Sequence, residues 1–252
     1  MTATTLPLFR ASFKMMFRSR GVIFAIVTAS LYIAFFGLIK DLELGFGTQT
    51  IGFFEFVLPG FAVFLMVHQI QDITVAVASS FKARGILKRL ATTPLSPLRF
   101  IAVQALTYVG LGVVASGLVL TIGKLVGGTI AMTVNLLWLI PLIGVVAVTS
   151  IAIGYAIAGL APNPQTATNV GGTVSFLMWG FAGVMFPVAA LPGLLPDLVP
   201  FVVPHTALIE VIRGIALTGD AITAYGPQLM IGAGWLAVAF AVAAISYRFT
   251  DE

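Results

Sequence analysis

Long apolar runs, separated by short charged or proline-bearing stretches, set the pattern of this chain. Six runs can be placed, roughly Val22–Ile39, Phe53–Ser80, Phe100–Gly123, Leu136–Leu160, Thr166–Phe186 and Gln228–Tyr247. Each is near the ~20 apolar residues needed to cross a bilayer as a helix. None alternates as a barrel strand does. In hydrocarbon every backbone polar group must be bonded internally, so the runs are predicted to be helices. The breaks are legible: Lys40, Asp41 and Glu43 close the first run, and Lys82 and Arg84 the second. Lys124 with Gly127-Gly128 closes the third, and Pro162-Asn163-Pro164 the fourth. The pattern predicts an all-α polytopic membrane protein, one domain over residues 1–252, with six membrane helices.

Composition agrees. Of 252 residues, 59% are hydrophobic and 9% charged, where soluble domains run near 45–50% and 25%. The mean hydropathy is +1.08. A soluble enzyme, a nucleic-acid-binding domain and a disordered chain are excluded. The net charge of +4 belongs to loops. Arg10, Lys14, Arg18, Arg20, Lys82, Arg84, Lys88, Arg89, Arg99 and Arg248 fall on one side of the six-helix layout. Lys40, Lys124 and Arg213 fall on the other. The positive-inside rule puts the first set, with both termini, in the cytoplasm, and the chain is expected in the plasma (inner) membrane. The first run has no clear small-residue cleavage site after it and reads as a retained span. There are no cysteines, so thiolate metal sites are absent, and no other metal site is expected.

Four segments carry further information. In LPLFRASFKMMFRSR, Phe9, Phe13, Met16 and Phe17 share one helical face beside a stripe of Arg10, Lys14 and Arg18. An interfacial helix has this form, and so has a charged flank that only fixes topology. After the second run, Lys82, Arg84, Lys88 and Arg89 surround Phe81, Ile86, Leu87 and Leu90, ahead of Pro94 and Pro97. A short helix with an apolar ridge and a cationic rim fits a groove on a soluble partner. A positive-inside loop without a partner has the same composition.

In Phe186–Gly219, Pro187, Pro192, Pro196, Pro200 and Pro204 forbid a straight helix. A helix can restart at Thr206 and run to about Leu217, with Glu210 and Arg213 spaced to pair. This predicts a broken, partly re-entrant element, an outer lid or a passive hairpin. In the second run, His68 and Asp72 are four residues apart, with Gln71 beside them and Ser79 near the same stripe. An ionised side chain at this depth costs ~2.5–3.5 kcal/mol or more, so the stripe should face the bundle or a cavity. It reads as a polar patch on a substrate path or as an interhelical packing cluster. Glu55, nearer the outer end, is expected to make a gate or lid contact at most.

LKRLATTPLSPLRF after Gly85, VLPGF at Val57–Phe61 and the proline-rich Phe186–Gly219 stretch together resemble the ABC-2-type permeases of ATP-binding-cassette transporters. The resemblance covers nearly the whole chain. It departs from the family pattern around Gly85, where Lys82, Ala83 and Arg84 precede and Ile86 follows. It implies a coupling helix to an ATPase, carried by Phe81, Lys82, Arg84, Gly85, Leu87, Lys88, Arg89, Leu90, Thr93 and Pro94. It implies an outer lid containing Pro187, Pro192, Pro196, Pro204, Glu210 and Arg213. It further implies an exporter subunit that is not an enzyme, with ATP and Mg bound by a separate ATPase. A second permease chain, identical or homologous, would complete the path. The substrate would be small and amphipathic or hydrophobic: a drug, antibiotic or lipid-like molecule.

The residues themselves agree on what is missing. Gly117 to Lys124 has the wrong spacing for a P-loop and is followed by Leu125. There is no H-E-x-x-H, G-x-S-x-G or TVGYG. The alternative function is an ATP-independent, proton-coupled carrier or channel using His68 and Asp72; no inverted repeat is evident to support it.

Overall fold

The computed structural model describes residues 21–38, 43–46, 49–86 and 97–247. Helix α1 is Gly21–Leu38. An antiparallel ribbon follows, β1 (Glu43–Phe46) paired with β2 (Gln49–Gly52). Helix α2 is Phe53–Ala83 and α3 is Pro97–Leu125. A 3-10 turn, Val134–Trp138, leads into α4, Leu139–Leu160. Helix α5 is Pro164–Phe181, α6 Leu195–Val202, α7 Thr206–Leu217 and α8 Gly226–Ser246.

Among the described residues four segments are long and apolar enough to cross a membrane: Phe53–Ala83, Ala105–Leu125, Val134–Leu160 and Ile222–Ser246. A fifth is counted if α6 and α7, bent by 102°, form one broken span. The chain is therefore a multi-pass helical membrane protein, its described residues hold four to five such spans, and the six-span layout is not shown by them. Helix α5 falls outside the set because Gln165, Thr168, Asn169, Thr173 and Ser175 dilute its apolar character. It also stops at Phe181, five residues before the run predicted from hydropathy, because Gly183 turns the chain with φ +72°. The fold is all-helical apart from the short β-ribbon, which the hydropathy pattern did not predict. Phe46, Thr50 and Ile51 favour extended backbone, and glycines interrupt any helix there.

Helix α2 is the centre of the bundle. Phe54, Leu58, Phe61, Val63, Phe64 and Val67 are almost wholly buried, with α1, α3, α4, α5 and α7 packed around them. Phe36 of α1 meets both Phe53 and Phe61 edge-on at 5.6 Å. At 1.5 Å per residue α2 is about 46 Å long, longer than the ~30 Å hydrocarbon core. Its 31 residues therefore reach past the core or tilt within it. Helix α5 starts where Asn163 caps it, accepting from the Thr166 amide at 2.8 Å, with Pro164 in the first turn.

The prolines do what their geometry dictates. Pro196 sits in the first turn of α6, Pro200 inside it, and Pro204 in the break before α7. The restart at Thr206 follows the predicted bounds. Helix α8 packs mainly on α4, and a close crossing permits it. A Cβ on Gly159 would lie 2.6 Å from the backbone carbon and oxygen of Ser246. Backbone cannot rotate away, so Gly159→Val is expected to separate α8 from α4 at a cost of ~1–3 kcal/mol. A lower melting temperature of the purified protein checks this.

Candidate functional site

Helices α2 and α5 cross in the interior through three polar side chains. Gln71 Nε2 donates to Ser175 Oγ at 3.1 Å, and Ser175 Oγ donates to Asp72 Oδ1 at 3.1 Å. Gln71 is only 1% exposed, while Asp72 opens onto the surface of the chain. The run thus starts inside the bundle and ends at a carboxylate on its outside.

Helix α5 shows where that outside is. Ala167, Gly171, Ser175 and Met178 are buried. Thr168, Asn169, Gly172 and Phe176 are exposed, and at 100° per residue they continue from the Ser175 side. Val170 and Leu177, also exposed, lie on the opposite flank. Asp72 and the polar flank of α5 therefore form one surface, with Phe176 stacked on Trp179 at 6.4 Å. An ionised carboxylate facing lipid is costly, so this surface needs cover from protein or water.

The other residues of the predicted path are placed differently. His68 is not bonded to Asp72. Its ring stands edge-on to Phe64 at 3.9 Å, and Nδ1 and Nε2 are buried with no hydrogen-bond partner among the described residues. Ser79 is buried and donates to Ala76 O of its own helix at 3.3 Å. It does not join the Asp72 run.

Between α2 and the broken pair, Arg213 is the tie. Its Nε donates to Phe56 O at 3.0 Å and its Nη2 to Gly183 O at 2.6 Å. The guanidinium carbon stands 3.7 Å above the Phe56 ring. Gly60 makes the approach possible, since a Cβ there would be 3.0 Å from Arg213 Nη2 and 3.2 Å from Ile209 Cγ2. This corrects the expected Glu210–Arg213 pair. The guanidinium's hydrogen bonds go instead to carbonyls of α2 and of the turn after α5. Pro187 precedes the 3-10 turn Val188–Ala190, whose last amide donates to its carbonyl at 3.0 Å. Pro192 O accepts from the Leu195 amide at 3.4 Å. Glu55 accepts a hydrogen bond from Thr129 Oγ1, in the turn after α3.

At the other end of α2, Phe81 and Lys82 belong to α2 itself and not to a separate helix. The helix stops because Arg84 and Gly85 turn the chain, Gly85 at φ +64°. Lys82 Nζ donates to Gly159 O at 2.7 Å and Ala161 O at 3.5 Å. It places a cation at the carbonyl end of α4, where the helix dipole favours one. Arg84 is exposed. Leu87, Lys88, Arg89, Leu90, Thr93 and Pro94, like the amphipathic N-terminal stretch, lie outside the described residues.

The family model of the ABC-2 type transporter matches residues 5–217. The chain belongs to that family. A comparison with curated proteins finds no match. Membership makes the chain the transmembrane component of an ABC-2 type transporter, a transport subunit without catalysis of its own. ABC permeases work with ATPase subunits. The match ends where α7 ends, so the Arg213 tie falls inside it and α8 beyond it.

Two interior contacts of this ABC-2 permease use residues that sequence patterning passes over. Ser175 joins Gln71 to Asp72, and its signal was the polar content of the fifth run. His205, 4% exposed, shares a 2.9 Å hydrogen bond with Ser150 of α4. Its only signal was a lone histidine between a proline and a threonine in an apolar region.

Proposed function

We propose that the chain is one of two permease subunits of an ABC exporter, and that the Asp72 surface of α2 and α5 lines the substrate path between them. The observation that carries this reading is the Gln71–Ser175–Asp72 run, which ends in an outward carboxylate within a helix long and apolar enough to cross a membrane. A second permease chain supplies the cover that the surface needs. The flanking Phe176 and Gly172, with the mostly aliphatic helices around them, suit an amphipathic or hydrophobic substrate such as a drug, antibiotic or lipid-like molecule. In this reading α1, α2, α3, α4, α5 and α8 are the six spans, and the α6–α7 pair, tied by Arg213, is the outer lid. Both termini and the Lys82 end of α2 lie in the cytoplasm of a plasma-membrane protein. Residues 81–94 take the push from an ATPase that binds ATP and Mg. The proton-coupled alternative has less support, because Asp72 bonds to Ser175 and not to His68.

Asp72→Asn tests the path. It keeps the shape and an acceptor for Ser175, so the complex should assemble and melt near the wild-type temperature. Its relative transport of cationic and neutral amphipaths should shift, by about tenfold where a cation had used the carboxylate. A lowered melting temperature with an unchanged substrate profile would make the run a packing device. Collapse of wild-type transport at fixed ATP, when the proton gradient is removed, would favour the carrier reading.

A further inference from the structure

Between α3 and α4 lies a groove of about 370 Å³. Val113, Gly117 and Leu120 line it from α3, and Leu139 and Ile143 from α4. Its lining carries two polar side chains, Thr121 and Lys124, both near the end of α3. The Thr121 hydroxyl gives its hydrogen to Gly117 O at 2.8 Å. Lys124 is exposed, and its ammonium has no hydrogen-bond or ion-pair partner among the described residues. The groove is thus apolar along its length with one free cation at its end.

The helices fix its depth. The apolar span of α3 ends at Leu125, one residue past Lys124, and that of α4 begins at Val134. Trp138, exposed between the groove residues Leu136 and Leu139, is of the type that gathers at the membrane–water interface. Lys124 therefore stands where the phosphates of one leaflet lie. From Lys124 to Val113 the α3 wall is about 16 Å long at 1.5 Å per residue. One leaflet holds ~15 Å of hydrocarbon, so the wall spans a single leaflet. A helix 10–12 Å across would fill ~1,300 Å³ over that length. The groove is too narrow for a helix of a partner protein and takes a single hydrocarbon chain. Water is not its natural occupant, because away from Thr121 and Lys124 the walls offer no hydrogen-bonding side chain.

We infer that the groove holds one acyl chain of an anionic phospholipid, with the phosphodiester against the Lys124 ammonium. Opposite charges meet at headgroup level, while the chain lies over Leu120 and Ile143. A lipid held in this way ties the end of α3 to the start of α4. The inference needs only a chain that crosses the membrane and does not rest on Asp72 lining a path.

Photo-crosslinking of the full chain in phosphatidylcholine nanodiscs tests this. The probes are phosphatidylglycerol and phosphatidylcholine with the same diazirine in mid-chain, and adducts are mapped by peptide mass spectrometry. One lysine near the surface favours an anionic headgroup by about fivefold, so phosphatidylglycerol adducts at Leu120 and Ile143 should exceed phosphatidylcholine adducts by that factor. At Phe240, exposed on α8, the two lipids should label alike. Lys124→Gln should bring the two lipids to parity at Leu120 and Ile143. Gly117→Leu should plug the groove without disturbing the bundle, since a Cβ at Gly117 meets no atom within 4 Å. Adducts at Leu120 and Ile143 should then fall severalfold, and those at Phe240 should not. Equal labelling of Leu120 and Ile143 by the two lipids in the wild-type chain, which needs no variant to fold, overturns the proposal. So does a phosphatidylglycerol preference that survives Lys124→Gln, or labelling that is unchanged in Gly117→Leu.

Discussion

Arg213→Ala is expected to release the α6–α7 pair from α2 and to destabilise the protein by ~3 kcal/mol. The side chain donates to Phe56 O and Gly183 O and covers the Phe56 ring. Truncation leaves Gly183 O, outside any helix, short of a donor at ~1–3 kcal/mol and removes the second bond that Phe56 O accepts. It also removes a desolvated cation–π contact worth ~2 kcal/mol. Against this stands the relief of no longer burying a cation without a carboxylate at bonding distance. The losses outweigh that relief because the guanidinium bridges three separate pieces of chain: the start of α2, the turn after α5, and α7. Arg213→Lys should restore little. One ammonium cannot reach both carbonyls while lying flat on the ring. Thermal unfolding reads the stability, and protease cleavage between residues 183 and 205 reads the release. A wild-type melting temperature in Arg213→Ala would mean that the broken pair is held elsewhere.

Leu87→Asp combined with Leu90→Asp is expected to abolish ATP-driven transport while the chain still inserts in the membrane. In the proposed mechanism these leucines are the apolar ridge that seats in the ATPase. Losing a buried anchor at an interface costs ~2 kcal/mol or more, about thirtyfold in affinity for each. Burying a carboxylate in its place costs further. The push they transmit has a defined route into the bundle. Helix α2 ends four residues before Leu87, and Lys82 ties that end to Gly159 O and Ala161 O of α4 and its turn. Movement of the loop therefore loads α2 and α4 together. Arg84→Ala or Lys88→Ala should do less, since charges at a rim tune encounter more than they hold a complex. Co-purification of the ATPase and ATP-dependent transport in vesicles check both arms. Full transport with full ATPase association in the double variant would sink this mechanism.

Helix positions were legible in the sequence where one cause dominates. Apolar length set α2, α3, α4 and α8. Pyrrolidine rings at 196, 200 and 204 set the break between α6 and α7. Hydropathy failed where polar residues dilute an otherwise apolar helix. It extended the fifth run through Gly183 to Phe186, and it could not tell that Thr168, Asn169 and Gly172 share a flank with Asp72. The β-ribbon was missed because two four-residue strands carry too little pattern to compete with the charges around them.

Contacts between helices were the least legible part. Periodicity reports the face of one helix, but a contact needs the rotation and depth of two. Glu210 and Arg213 are well spaced to pair, yet Phe56 O and Gly183 O lie nearer to the guanidinium. Likewise His68 and Asp72 are spaced to meet, but Ser175 reaches the carboxylate from a helix more than a hundred residues along the chain.

The natural absence of cysteine allows the central claim, that the Asp72 surface lines a wet path between two chains, to be tested by single cysteines on α5. Gly172→Cys is the probe, because a Cβ there meets no atom within 4 Å, and Val170→Cys on the opposite flank is the control. Thiols react as thiolates, which form in water and not in hydrocarbon. In the assembled transporter, a hydrophilic thiol reagent is expected to label Gly172→Cys, to be slowed there by transported amphipaths, and to leave Val170→Cys unlabelled. Equal labelling of the two positions, or a Gly172→Cys that stays inert while Val170→Cys reacts, would contradict the account.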